Sequence, residues 1–476
     1  MKKLLLSFAL LIVTFSQAQL SIDNTYLGNG KLNNTVAKLV KQPDNKIIAI
    51  GSFTKYDTTD RRQIVRLNQD GSLDTSFDPG SSVGTGTINS VEVLSNGKIM
   101  IGGYFVSYNG SATTNLARLN SDGTLDTTFT TSPFSFSNGS TGAIYTIKEQ
   151  ADGKILIGGW FEKHGITNRS GIARLNSDGT LDTTFNPGLG VQNGSNGNHF
   201  VHKAIVTPTA DIYIGGRYGS FNNLSTSSIT KLSSTGTTLT PLIEGTSNLD
   251  VVDIALQPDG KILICGSFTS VNSAARGRIA RLNTNGTLDN SFGVTNGGTN
   301  GWVRTIKLLP SGQVLIAGAF TKYNDINANK IALLSSTGTL NNSFNSSNLP
   351  IDHMIESIEV ENSNNSIIIA GQFTSVNNNN TDYKYLVRLI SSSVVLGTDE
   401  VNHSNSKINI YPNPTTDQLT INTNEAIKSV SIFSANGQLV KQDKSKQINV
   451  GQLTSGKYTI QVETKEGTHT NHFIKK

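Results

Sequence analysis

The sequence predicts an all-β fold, a seven-bladed β-propeller of four-stranded blades followed by a small C-terminal β-domain. Two observations support this prediction: a unit of about 50 residues recurs seven times, and each copy contains short segments typical of β-strands. The chain has 476 residues, of which 36% are hydrophobic, 15% are charged and 46 are glycine. This composition excludes a coiled coil and a wholly disordered protein.

The repeat is clearest around a glycine that ends an isoleucine-rich segment. Successive copies of this glycine lie 50 to 57 residues apart, an aromatic residue follows two positions later, and Ile or Val precedes it by four. Four-stranded units at this period are typical of a β-propeller, whereas the alternative, a β-solenoid, would usually have shorter repeats. The seven glycines are Gly51, Gly103, Gly159, Gly216, Gly266, Gly318 and Gly371.

Each unit is predicted to contain four strands. The first carries spaced apolar residues, and the second, residues 47–50 in the first unit, is apolar at consecutive positions, which indicates burial on both faces. The third strand is predicted at 64–67 and a short fourth strand at 73–77, after a turn. The fourth unit departs from this pattern, because its turn at 233–236 lacks the aspartate and no fourth strand is evident after it.

The turn between the third and fourth strands is expected to bring an arginine opposite an aspartate. If Gly71 adopts the left-handed conformation of a three-residue hairpin loop, Arg66 lies opposite Asp74. Both positions change together in the sixth unit, to Leu333 and Asn341. We expect exposed pairs, worth about 0–1 kcal/mol each, that fix the hairpin register. The predicted pairs are Arg66/Asp74, Arg118/Asp126, Arg174/Asp182 and Arg281/Asp289.

The seventh unit is incomplete, because it stops after residues 386–389 without a fourth strand. Residues 22–26, near the N-terminus, match the fourth strand at 73–77 position by position. We therefore predict that the N-terminal segment supplies the fourth strand of the seventh blade, with Asp23 opposite Arg388. This would close the ring without a disulfide, which a chain with one cysteine cannot form.

The N-terminus is typical of an export signal. Lys2 and Lys3 precede an apolar stretch at 4–13, and the residues that follow favour cleavage between Ala18 and Gln19. A membrane anchor is the alternative, but ten apolar residues are too few to cross about 30 Å of hydrocarbon. The predicted organisation is a signal peptide at 1–18, a propeller at 19–389, a linker at 390–404 and a C-terminal domain at 405–476.

The C-terminal 70 or so residues contain a set of short motifs, formed by Tyr411, Pro412, Asn413, Pro414, Gly456, Tyr458, Lys475 and Lys476. With these motifs the segment resembles the type A sorting domain of the type IX secretion system of Bacteroidetes. The resemblance implies a seven-stranded β-sandwich that is usually removed after transport. It also implies the secretion machinery as a partner, and a cargo that stays on the cell surface or is released.

A second resemblance concerns the repeats. The motif Arg-Leu-Asn-x-Asp-Gly-Thr-Leu-Asp-x-x-Phe at 118–129 and 174–185 resembles the delta-60 repeat, a propeller repeat common in secreted bacterial proteins. This resemblance covers about residues 20–389. It implies an exported propeller.

The distribution of charge argues against a nucleic-acid partner. The net charge of the chain is +5, but residues 404–476 contribute nine Lys against five acidic residues, and residues 1–18 contribute two Lys. The remainder therefore carries 28 basic and 29 acidic residues. Nucleic-acid binders concentrate positive charge in the binding body. We expect no nucleic-acid partner, and no transmembrane segment in the mature protein.

The sequence does not indicate a catalytic centre, a cofactor or a metal site. It lacks a Gly-x-Ser-x-Gly elbow, a phosphate loop and a His-Glu-x-x-His motif. His199 and His202 lack the third ligand that zinc needs, and His202 is expected to line the channel instead. The Asn-x-Asp-Gly turns lack the spacing of a calcium loop. His164 and Cys265 align with buried repeat positions, which favours packing roles.

Together these observations predict an exported β-propeller that acts as a binding or scaffold module for an unknown protein or glycan at the cell surface. One alternative is a propeller-based enzyme, such as a glycan hydrolase or lyase. Convergent carboxylates or a perturbed histidine at the channel mouth would favour it. A second alternative is an adhesin that binds glycans through exposed aromatic residues, although Trp160 and Trp302 are the only tryptophans.

Overall fold

The computed structural model divides into two units, residues 1–397 and 398–476, each built of antiparallel strands. No helix within the described part of the chain is long and apolar enough to span a membrane. The structure describes residues 20–193, 197–226, 228–241, 250–293, 297–344, 346–361, 366–377, 382–391, 408–411, 415–423, 426–434, 439–464 and 468–475.

Seven sheets of the first unit, numbered here in chain order, each have a first, a second and a third strand among the described residues. The second strand lies in the middle of every sheet, which is why its consecutive apolar residues are buried on both faces. The first strands are Val36–Lys41, Gly86–Val93, Ala143–Glu149, Phe200–Val206, Val251–Leu256, Val303–Leu308 and Ile355–Glu361. The second strands are Ile47–Gly51, Ile99–Phe105, Ile155–Trp160, Ile212–Arg217, Ile262–Gly266, Val314–Gly318 and Ser366–Gly371. The third strands are Ile64–Leu67, Leu116–Leu119, Ile172–Leu175, Ile229–Leu232, Ile279–Leu282, Ile331–Leu334 and Leu386–Ser391.

The seven sheets follow one another in a ring. The first strands of consecutive sheets contact each other in chain order, and the first strand of sheet 7 contacts that of sheet 1. Apolar side chains fill the space between neighbouring sheets; Ile368 and Ala370 of sheet 7, for example, share a core with Leu39 and Ala49 of sheet 1. The first strands surround the axis of this ring, and we call the space between them the channel.

The predicted fourth strand is much shorter than expected in most sheets. In sheet 1 it is reduced to a single bridge between Leu67 and Leu73, and sheets 2, 3, 5 and 6 have the equivalent bridge. The ladder stops there because the Asp74 carboxylate accepts hydrogen bonds from the Ser76 N–H and hydroxyl, which turns the chain away. Sheet 4 lacks this aspartate, and there a fourth strand that the sequence did not make evident forms over Thr238–Pro241, with a shift of register between Lys231 and Leu232.

The N-terminal strand, Leu20–Ile22, is the fourth strand of sheet 7. It pairs with the third strand of that sheet so that Ile22 lies opposite Leu389, and the Asp23 N–H donates to the Arg388 carbonyl oxygen at 2.9 Å. Sheet 7 therefore combines a strand from the start of the first unit with three strands from its end, as the match between residues 22–26 and 73–77 indicates.

Short hairpins not expected from the sequence interrupt the connection between the second and third strands of sheets 1 to 6. In sheet 2, Asn109 and Gly110 both have positive φ, as a type I′ turn requires. Phe134–Ser135 and Val191–Gln192 add a strand to the hairpins of sheets 3 and 4, and a 3-10 turn spans Ser346–Asn348. The hairpin strands are Lys55–Tyr56 and Thr59–Asp60, Ser107–Tyr108 and Ser111–Ala112, Lys163–His164 and Thr167–Asn168, Ser220–Phe221 and Leu224–Ser225, Ser270–Val271 and Ala274–Ala275, and Lys322–Tyr323 and Ile326–Asn327.

The described residues of the second unit form two sheets around one core, which includes Ile421, Ile432, Ile460 and Phe473. The three-stranded sheet has the order Ile408–Tyr411, Gln418–Thr423, Gln447–Asn449. The four-stranded sheet has the order Leu439–Asp443, Ile427–Phe433, Gly456–Thr464, Thr468–Lys475.

The residues of the predicted sorting motif have different environments in this unit. Tyr458 is buried and stacks on Phe473 with 5.5 Å between ring centroids, Lys475 is buried, and Tyr411 is exposed. Gly456 begins the strand that contains Tyr458. Several predicted features lie outside the described residues: the signal peptide at 1–18, the cleavage site Ala18–Gln19, most of the linker at 390–404, and Pro412, Asn413, Pro414 and Lys476.

Candidate binding site at the channel mouth

Every first strand of the ring carries a β-bulge at the same position. In sheet 1, Val36 pairs with Gly51 and Lys38 pairs with Ile50, so Ala37 between them has no partner. The repeat glycine explains this geometry, because a Cβ on Gly51 would lie 2.1 Å from the Thr35 carbonyl oxygen. The bulged residues are Ala37, Asn89, Tyr145, His202, Val252, Arg304 and Glu356.

These seven side chains line a cavity of about 330 Å³ on the axis of the ring. β-Bulges re-aim side chains, and here they turn one residue of each first strand toward the cavity. The residues that follow the bulges complete the lining: Lys38, Thr146, Lys203, Asp253, Thr305 and Ser357. We call these thirteen lining residues the channel mouth.

Some polar side chains of the channel mouth hold neighbouring sheets together. The Ser357 hydroxyl of sheet 7 accepts a hydrogen bond from the Leu39 N–H of sheet 1 at 3.0 Å. The Asp253 carboxylate of sheet 5 accepts one from the Ile306 N–H of sheet 6 at 2.9 Å. These residues therefore have structural roles besides lining the cavity.

Two ion pairs cross between sheets in the cavity wall. Lys203 Nζ lies 2.8 Å from Asp253 Oδ1, and Arg304 Nε lies 2.7 Å from Glu356 Oε2. The charge of Asp253 raises the pKa of Lys203. Both carboxylates of the channel mouth are thus neutralised by a cation of the adjacent sheet.

Lys38 differs from the other charged residues of the channel mouth. It has no hydrogen-bond or ion-pair partner among the residues that the structure describes. Burial between the seven strands, followed by repulsion from Lys203, lowers the pKa of Lys38 to about 8. Three cations face two carboxylates in this lining, so the channel mouth carries one uncompensated positive charge when Lys38 is protonated.

An aromatic wall covers the sheet 3 and sheet 4 side of the cavity. The ring of His202 lies 5.4 Å from that of Tyr145 and 4.8 Å from that of Phe200, centroid to centroid. His202 Nε2 is 3.3 Å from the Asp250 carboxylate, which also binds Arg217 Nη2 at 2.7 Å. Burial raises the pKa of Tyr145, so its phenol stays neutral.

The other candidate residues do not line this cavity, although Cys265 pairs with the lining residue Asp253 in sheet 5. His199 is half-buried and does not line the channel mouth. His164 is buried against Phe134, with 4.7 Å between ring centroids, and Cys265 is fully buried. No group of three or more His, Cys, Asp or Glu side chains is placed to hold a metal ion in the described ranges. The expectation that the chain binds no metal or cofactor stays a prediction.

The predicted Arg–Asp pairs form in the structure, but the expectation that they are exposed was wrong. Arg66 Nε lies 2.6 Å from Asp74 Oδ2, and the two residues are 6% and 5% exposed. Lys46 Nζ binds the same oxygen at 2.8 Å. Burial opposes ionisation of Asp74, but hydrogen bonds from Lys46, Ser76 and Arg66 outweigh it and hold the pKa below its usual range.

The lysine in this cluster was missed, although the sequence contains a signal for it. A lysine precedes the repeat glycine by five positions in each of the four units that contain an Arg–Asp pair of this kind. The other three lysines each bind the equivalent aspartate. They are Lys98, Lys154 and Lys261.

Each arginine also links its sheet to the next one. Arg66 Nη1 donates to the Ser121 carbonyl oxygen of sheet 2 at 2.6 Å, and its guanidinium lies 4.9 Å from the centre of the Phe77 ring. Arg388 donates to the Gln69 carbonyl oxygen of sheet 1 at 3.1 Å and pairs with Asp23 at 2.8 Å. The equivalent contacts are Arg118 to Ser177, Arg174 to Ser234 and Arg281 to Ser336.

Solved structures resemble the chain only remotely. The extracellular domain of a protein named as a one-component system from B. thetaiotaomicron is 12% identical over 96% of this chain and 58% of its own, with a TM-score of 0.46. Virginiamycin B lyase from Staphylococcus aureus is 13% identical over 78% and 99% of the two chains, with the same TM-score of 0.46. A GH74 xyloglucanase from Xanthomonas campestris is 10% identical over 79% and 55%, also at 0.46. The chain spans less than two thirds of the B. thetaiotaomicron domain. No curated protein sequence matches it.

Two family models match parts of the chain. A secretion system C-terminal sorting domain matches residues 409–476. The β-propeller domain of unknown function DUF5122 matches 42–77, 94–129, 150–185, 257–292 and 309–344, which are segments of sheets 1, 2, 3, 5 and 6. The chain is therefore an all-β protein that combines β-propeller repeats with a type IX sorting domain, and the sorting domain indicates export to the cell surface or secretion.

Proposed function

We propose that this chain is an exported seven-bladed β-propeller, with each of the seven sheets as one blade and the N-terminal strand closing the ring. In this proposal a signal peptide at 1–18 directs export, and the second unit is the β-sandwich that the type IX secretion machinery recognises. The cyclic contacts between the first strands support the blade number. The delta-60 name remains a resemblance.

The propeller acts in this proposal as a binding module, with its ligand at the channel mouth. The supporting observation is the contrast between adjacent positions of the repeat. The residue before the bulge is Val or Ile in all seven units. The bulged residue itself is of seven different types, with apolar, amide, phenol, imidazole, guanidinium and carboxylate side chains: Ala37, Asn89, Tyr145, His202, Val252, Arg304 and Glu356. A purely structural position would repeat, as its neighbours do.

The charges at the channel mouth favour binding over catalysis. An acid–base enzyme needs carboxylates or a histidine poised to exchange protons with a substrate. Here Asp253 and Glu356 are each held by a cation within 2.8 Å. His202 lies beside Asp250, which also binds Arg217. These groups are arranged to recognise a ligand by shape, charge and hydrogen bonds.

A ligand screen on the purified full chain tests this function. We expect thermal-shift hits from a library of glycans and small metabolites whose binding is lost in Tyr145→Ala. The matched control is Tyr104→Ala, because Tyr104 is 53% exposed and does not line the channel mouth. If every hit binds Tyr145→Ala and the parent equally, the channel mouth is not the binding site.

A further inference from the structure

Among the residues that the structure describes, Lys38 has no counter-ion, because every acidic group that acts on it already pairs with another cation. The charges that act on Lys38 come from Lys203 of sheet 4, Asp253 of sheet 5, Glu92 of sheet 2 and Glu359 of sheet 7. The three carboxylates all lie in ion pairs between adjacent sheets. These pairs are Lys203–Asp253 at 2.8 Å, Lys148–Glu92 at 2.6 Å and Lys307–Glu359 at 2.6 Å.

Lys38 is half-buried, and a partly desolvated cation without a partner is unfavourable unless something supplies the opposite charge. Lys203 is the strongest charge acting on Lys38, and it has the same sign. An anion bound in the cavity beside Lys38 would remove this repulsion. One uncompensated positive charge matches a ligand with one negative charge.

The rest of the cavity indicates what the anion is attached to. Tyr145 and His202 place two aromatic rings in the lining on the side of sheets 3 and 4. Arg304 and Glu356, on the side of sheets 6 and 7, offer donors and acceptors for hydroxyl groups. A cavity of about 330 Å³ lies at the lower end of the usual range for ligand pockets, about 300–1,000 Å³, and so suits a small ligand.

We propose that the channel mouth binds a small ring compound with one carboxylate, whose carboxylate pairs with Lys38 and whose ring packs on Tyr145 and His202. This inference rests on the proposed binding function and adds the chemical class of the ligand. A sugar acid and an aromatic acid both have this chemistry, and the choice of probes separates them.

Calorimetric titration of the full chain tests the proposal with two acids and their neutral counterparts. The sugar pair is D-galacturonate and D-galactose, and the aromatic pair is benzoate and benzyl alcohol. We expect one of the two acids to bind at least tenfold more tightly than its neutral counterpart. Lys38→Met should weaken its binding about 10- to 100-fold, because a hydrogen-bonded charge is lost.

Lys41→Met is the matched control. Lys41 lies on the same strand, three residues further along, and lines a different depression with Glu92 and Lys148 instead of the channel mouth. Its replacement should leave the affinity for the acid unchanged. Equal affinity for an acid and its neutral counterpart would overturn the proposal, as would full binding by Lys38→Met or no binding of either acid.

The pH dependence of binding gives a test on the unaltered protein. Only protonated Lys38 carries the charge that attracts the ligand, and its pKa is about 8. The dissociation constant should therefore rise about tenfold per pH unit above pH 8. The neighbouring Lys203 does not contribute in this range, since Asp253 raises its pKa. A dissociation constant that is flat from pH 7 to 10 would contradict the role of Lys38.

Failure of this inference can be told apart from failure of the binding function. If neutral ligands bind the parent but not Tyr145→Ala, the channel mouth is a binding site, but the proposal that its ligand carries a carboxylate is wrong. If every hit binds the parent and Tyr145→Ala with equal affinity, both the binding function of the channel mouth and the carboxylate ligand are rejected.

Discussion

Deleting the N-terminal strand should destabilise the ring strongly, because it removes core residues as well as hydrogen bonds. The change is a chain that begins at residue 27 instead of residue 19. Leu20 and Tyr26 are each 2% exposed, and the Tyr26 ring lies 4.3 Å from the Arg388 guanidinium. The deletion exposes the third strand of sheet 7 and leaves Arg388 without Asp23.

The expected size of the effect follows from these contacts. Burial of Leu20 and of Tyr26 contributes about 1.5–3 kcal/mol each. Removing one partner of a buried ion pair costs about 3–5 kcal/mol, and Glu361, at 3.4 Å from Arg388, keeps this loss near the lower value. The free energy of unfolding should therefore fall by at least about 6 kcal/mol. At roughly 2 °C per kcal/mol, the Tm should drop by about 10 °C or more.

Scanning calorimetry of the two chains measures this difference. The control deletes the same number of residues from the predicted linker, at 397–404. A charge swap between Asp23 and Arg388 is a poorer test, because an aspartate at 388 would face Glu361, which is 1% exposed. If the chain that begins at residue 27 melts within 2 °C of the parent, the N-terminal strand does not close the ring.

The repeat itself made much of the ring predictable from the sequence. The register of the Arg66 hairpin and the pairing of Asp23 with Arg388 depend on local turn geometry and on comparison of units. Both therefore follow from residue spacing. The burial of those pairs does not, because it depends on Ser121 and on the loop of the neighbouring sheet.

The channel mouth was harder to predict, because its residues lie about 50 positions apart on seven different strands. Only His202 was expected to line the channel. At the bulge the backbones of two strands approach so closely that only glycine fits, since a Cβ on Gly318 would lie 2.0 Å from the Trp302 carbonyl oxygen. Aligning the seven units would still have shown a position of seven different residue types directly after a position that is always Val or Ile, and that is the signal to seek in other propellers.

Three further predictions follow from single features of the chain. Deleting residues 405–476 should leave the ring folded but keep the protein in the periplasm, as measured by surface labelling of cells; surface display would contradict the sorting role. Gly318→Ala should lower the Tm by several degrees because its Cβ meets the Trp302 carbonyl, whereas Gly97→Ala, with open space around it, should cost only about 1 kcal/mol. The parent should lose stability as the pH falls from 6.5 to 4, and His164→Tyr should not show this loss, as measured by urea unfolding.

The His164 prediction follows from the difference between its folded and unfolded states. Burial, with a smaller contribution from Arg169, lowers the pKa of His164 to about 4, against about 6.5 in an unfolded chain. A lowered pKa means that the stability is present above pH 6.5 and is lost as the pH falls toward 4, by up to about 3 kcal/mol. Tyrosine occupies this repeat position in sheet 1, where the Tyr56 hydroxyl donates to the Gly71 carbonyl oxygen at 2.7 Å, so the variant should pack without a titrating group. The buried aspartates titrate below this window, because their pKa values are lowered from 3.8. If parent and variant lose the same stability between pH 6.5 and 4.5, His164 is not the group responsible.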